Sequence, residues 1–81
     1  MKKNDLKLRK VLIDTFPNSK IPKSINELKM GDLKDWDSMG NFNLILSIEQ
    51  NFSVKFNMDQ VEQIKSIKEI KKILKKSNVK D

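Results

Sequence analysis

Apolar residues return at helical spacing in several separate stretches of the chain. In the first, about Asn4 to Phe16, Leu8, Val11, Leu12 and Phe16 fall on one stripe. Asn4 is placed to cap it and Asp5 to complement the helix dipole, while Pro17 ends it, because the residue before a proline avoids helical geometry. From about Pro17 to Trp36 the period is lost among Pro22, Gly31 and scattered polar residues. Ser24 and Glu27 have the spacing to cap one short helical turn around Leu28. Ile21, Ile25, Leu28, Met30 and Leu33 are expected to pin this long connection to the core. The period resumes at Asp37 or Ser38 and holds to Phe52, with Asp37 as cap and Leu44, Ile45, Ile48 and Phe52 on one face. Met39, Phe42 and Leu46 extend that face sideways to an arc of roughly 220° at ~100° per residue. That is wider than a surface helix needs. Either the helix is central, or part of its apolar edge is open to a partner.

Phe52 to Phe56 reads as an extended connection. Asn57 with Gln60, and Ser66 with Glu69, have the spacing of capping boxes that open two further helices. Val61 and Ile64 face inward from the short third helix, and Ile67, Ile70, Ile73 and Leu74 form the stripe of the fourth. Lys71, Lys72, Lys75 and Lys76 fall on its outer face, and 77–81 is expected to fray. The expected fold is all-α: a four-helix bundle of three main helices and a short third one, with a long first loop. The 81 residues make one domain, with its core at about 4–76.

Composition narrows the function. There is no cysteine and no histidine, so disulfides, Cys/His zinc sites and protein-borne thiol or imidazole chemistry are excluded. No apolar run reaches the ~20 residues that span a bilayer, and the charged N-terminus does not read as a signal peptide. The expectation is a cytoplasmic monomer without membrane insertion. A net charge of +6 would favour an anionic partner. The basic residues, however, concentrate at the two ends, and from Asp35 to Val54 there is no Lys or Arg. That window instead carries Asp35, Asp37 and Glu49, which argues against nucleic acid as the partner.

The most informative run is Asp35-Trp36-Asp37-Ser38-Met39-Gly40, leading into Phe42-Asn43-Leu44-Ile45-Leu46-Ser47-Ile48-Glu49. It resembles the acyl carrier proteins, in which an Asp-Ser-Leu-like tripeptide opens the second helix. Here Asp37, Ser38 and Met39 match it, with Met in place of the commoner Leu. The similarity covers roughly Leu28 to Leu74 and includes Glu49 to Phe52, Phe56, Ile64, Ser66-Ile67 and Leu74. The resemblance implies 4′-phosphopantetheine esterified to Ser38 by a phosphopantetheinyl transferase. It further implies a loading ligase or synthase, an acceptor transferase, and no catalytic activity in the chain itself. Apolar core side chains of this family can also line a pocket for the acyl chain. A serine in the first helical turn suits a phosphate on physical grounds, since the first N–H groups lack intrahelical partners. Gly40 is expected to keep the surface beside Ser38 low.

Met39, Phe42, Leu46 and Glu49 are the expected partner contacts, with ordinary core as the other reading of the three apolar residues. Trp36 is expected to be a loop anchor. Asn43, Gln50 and Asn51 stand where the family commonly has acidic residues, which points to a partner that reads shape and apolar contact more than charge. Two rival readings stand beside the resemblance: a small basic helical nucleic-acid-binding domain, supported by the charge and the mostly helical pattern, and a helical interaction module without the arm, which shares every packing feature.

Overall fold

A computed structural model describes residues 3–76, with side chains from Asp5 onward. Four helices form where the period placed them: α1 at Lys3–Thr15, α2 at Ser38–Phe52, α3 at Met58–Gln63 and α4 at Ile67–Lys76. The described part is an all-α bundle with one isolated antiparallel bridge, Lys29 to Ser66. The stripes of α1, α2 and α4 meet in a core that includes Leu8, Leu12, Phe16, Leu44, Ile48, Ile64, Ile67 and Ile70, each at most 1% exposed. Asn4 does not cap α1; the helix begins at Lys3 and takes Asn4 into its first turn.

The connection from Phe16 to Asp37 is held by side chains and by backbone pairing. Ile25, Leu33 and Trp36 are buried, and Ile21, Leu28 and Met30 pack half-buried against the core. Arg9 clamps the connection from α1: its Nε donates to Pro22 O at 3.0 Å and its Nη2 to Ile21 O at 2.9 Å. The Ser24–Glu27 turn is not helical. Ile25 to Leu28 instead closes as a tight turn, with Leu28 N–H on Ile25 O. The chain then pairs with the start of α4, Ile67 N–H donating to Leu28 O at 3.0 Å and Met30 N–H to Lys65 O at 2.7 Å. The reason lies in the helix end: Ile67 opens α4, its N–H has no intrahelical partner, and the Leu28 carbonyl supplies one. Gly31 then turns the chain at φ +100°, a region open to glycine, and its N–H donates to Trp36 O.

The later elements are capped locally. Asn57 and Gln60 form the expected box at α3. At α4, Glu69 N–H donates to Ser66 Oγ, while Glu69 Oε1 accepts from Lys65 N–H rather than from Ser66 N–H. Lys71 departs from the outer-face expectation. It is half-buried, 2.5 Å from Asp5 Oδ1, and also bonded to Asn26, so it ties α4 to α1 and the loop. No described helix is long and apolar enough to cross a membrane.

Candidate functional site

The start of α2 alternates between interior and surface. Asp37 stands just outside the helix in an extended conformation (φ −103°, ψ −163°). Its Oδ1 accepts from Gly40 N–H at 2.9 Å, and its carbonyl from Asn41 N–H at 2.8 Å. The side-chain bond satisfies one of the four donors that every helix start leaves open, and the backbone bond is the first of the helix itself. Ser38 is the first residue of α2 and is exposed, as are Asp35, Asp37 and Met39. Trp36, Gly40 and Asn41 are buried. The hydroxyl therefore stands on a short outward turn whose two ends are fixed inside the protein.

Trp36 anchors one end, as a loop anchor should. It is fully buried and stacks on Phe16 with ring centroids 5.9 Å apart and planes 24° from parallel. Its Nε1 donates to Asn41 Oδ1 at 2.8 Å, and Asn41 Nδ2 donates to Ile64 O at 2.7 Å. The role of Asn41 was not legible in the sequence, because both partners of its side chain lie outside α2. The nearest available signal was a polar residue within the buried stripe, three positions after Ser38. Gly40 does something other than lower the surface. It is buried beneath the Asp35 carbonyl and the Phe16 ring, so the missing side chain makes room for backbone.

Three of the four expected contact residues share the outward side of α2. Met39 is 79% exposed, Phe42 54% and Leu46 43%, so the core reading of these side chains does not hold. On a helical wheel Met39 and Leu46 fall opposite Leu44 and Ile48 rather than beside them. Glu49 is different: it is half-buried, and its Oε2 accepts from Phe56 N–H at 2.8 Å, bracing the connection to α3. The exposed part of α2 thus presents a hydroxyl, an apolar stripe and no basic residue.

The Asp37 carboxylate is engaged by Gly40 N–H, and the chain has no histidine. Among the described residues no group of three or more acidic side chains is arranged to hold a metal ion. What the arrangement offers is an exposed serine at the positive end of a well-anchored helix. No family model matches the chain, and searches of curated proteins and of solved structures return no match.

Proposed function

We propose that this protein is a phosphopantetheine carrier of the acyl carrier protein type, with Ser38 bearing the arm. The observation that carries the reading is the exposed Ser38 at the first position of α2, held between a capping Asp37 and the buried Trp36–Asn41 pair. The residues present fit a phosphodiester at that point. The N–H groups of Ser38 and Met39 belong to the first turn, where helix donors lack intrahelical acceptors and the dipole favours negative charge. No side chain needs to move to expose the hydroxyl.

On this reading the chain is not an enzyme. Ser38 Oγ displaces adenosine 3′,5′-bisphosphate from coenzyme A in the active site of a phosphopantetheinyl transferase, which takes the proton and holds the magnesium. The arm supplies the thiol that a chain without cysteine lacks, for an acyl or aminoacyl thioester. Asp37 orients the helix start, and Met39, Phe42 and Leu46 meet the transferase, a loading ligase or synthase, and an acceptor transferase. A cytoplasmic monomer fits this role.

The test is mass spectrometry after incubation with a broad-specificity transferase, coenzyme A and magnesium. The expected result is a gain of one phosphopantetheine, absent in Ser38→Ala. Absence of any gain in the wild-type protein overturns the reading. Salt-sensitive binding to DNA or RNA would then point to the basic helical domain, and neither result to an interaction module without the arm.

A further inference from the structure

We infer that Asn41 is a positioning residue for the modification of Ser38, acting through Trp36 to fix the turn that carries the hydroxyl. This rests on the carrier reading above. Asn41 is 8% exposed, and a polar side chain that deep is costly unless its polar atoms are paired. It is paired on both sides. The indole Nε1–H requires an acceptor and the Ile64 carbonyl requires a donor, so the two partners fix which way the amide points. One side chain thereby joins the segment before α2, α2 itself and the residue that ends α3.

Packing alone does not call for this arrangement. Leucine is close to asparagine in shape and would satisfy the surrounding apolar residues. The hydrogen bond adds direction. Trp36 is packed on all sides and stacked on Phe16, and the bond from Nε1 to Asn41 adds a directional tie from the indole to α2. Trp36 lies two residues before Ser38, and Gly40 lets the Asp35 carbonyl settle against α2 on the same side. The Trp36–Asn41 bond therefore closes the segment that holds Asp37 and Ser38 at both its ends. Transfer to a hydroxyl is sensitive to its placement, since a misplacement of ~1 Å can cost about 10²-fold in rate.

The experiment compares Asn41→Leu, Trp36→Phe and the double variant as transferase substrates. Each is first shown to be folded by urea titration, and a ¹⁵N–¹H spectrum reports the amides of Asp37, Ser38 and Gly40. Trp36→Phe keeps an aromatic ring against Phe16, removes the indole donor and leaves a cavity where the fused ring stood; as a folded protein it carries the test if Asn41→Leu does not fold. The expected result is a fall in kcat of about tenfold in each folded single variant. The double variant is expected to lose less than the product of the two single losses, because both singles lose the Nε1–Asn41 bond, while each also loses something of its own: the bond to Ile64 in one, buried ring volume in the other. The amides at the start of α2 should shift while those of α4 stay in place. Folded variants modified at the wild-type rate, or rate losses that simply multiply, overturn the inference and leave the carrier reading intact. A wild-type protein that is never modified removes the carrier reading itself, an outcome distinct from either.

Discussion

Gly40 and Asp35 pack backbone against backbone: a β-carbon on Gly40 would intrude on the Asp35 carbonyl oxygen and stand 3.0 Å from Phe16 Cε1. Helix propensity favours alanine over glycine inside a helix by ~1 kcal/mol. The packing opposes it, and the obstruction is backbone that cannot rotate away. Gly40→Ala is expected to lower stability by ~1–3 kcal/mol, the range for overpacking a filled interior. Urea unfolding checks the sign, and a stabilised variant would show that the Asp35 segment yields easily.

This case separates what the sequence discloses from what it hides. The four helices, the Asp37 cap and the Asn57–Gln60 box were legible because each depends on residues within a turn of one another. The tripeptide Asp37-Ser38-Met39 stood out only through the resemblance of the whole run from Leu28 to Leu74, and the structure places all three of its residues on the surface at the start of α2. The Arg9 clamp on Ile21 and Pro22 spans a distance that periodicity does not encode, as does the bond from Asn41 to Ile64. Ser24 and Glu27 looked like a helix cap, but the backbone there was claimed by the start of α4. Glu49 read as a partner contact because the group it serves, Phe56 N–H, lies beyond the end of its own helix.

Ser53 ends α2 in the left-handed region, at φ 54° and ψ 44°. Val54 N–H folds back onto Glu49 O at 3.2 Å, a closure that depends on this conformation. A residue with a β-carbon is strained there by roughly 1–2 kcal/mol, and serine lacks the tolerance of asparagine. Ser53 is exposed and, among the described residues, its side chain makes no hydrogen bond that glycine would lose. Ser53→Gly is expected to raise stability by ~0.5–1 kcal/mol after the added flexibility of the unfolded chain is subtracted. A rise in the urea midpoint with an unchanged slope is the checking measurement.

Glu49 allows its two readings to be separated. If its carboxylate serves Phe56 N–H, Glu49→Ala leaves a half-buried donor unpaired and costs about 1–3 kcal/mol. Glu49→Gln keeps an oxygen acceptor and is expected to cost less than half as much. Faster amide exchange should then appear at Phe56 and along α3, which has no fully buried residue to hold it. A Glu49→Ala protein of unchanged stability that binds its transferase poorly would return the residue to the contact surface.

The outward side of α2 has Met39, Phe42 and Leu46 exposed over a stretch without a single basic residue, in a chain of net charge +6. A partner that docks there gains from apolar area, which salt does not screen, rather than from ion pairs, which it does. The KM of the transferase for this protein is therefore expected to change by less than about twofold between ~50 and ~500 mM sodium chloride. Met39→Ser should raise that KM by about tenfold, the loss expected when most of a methionine side chain no longer enters an interface. Because Met39 is 79% exposed, the same change should leave the unfolding free energy within ~0.5 kcal/mol of the wild type. Affinity that falls steeply with salt while Met39→Ser has no effect would place recognition on Asp35 and Asp37 instead.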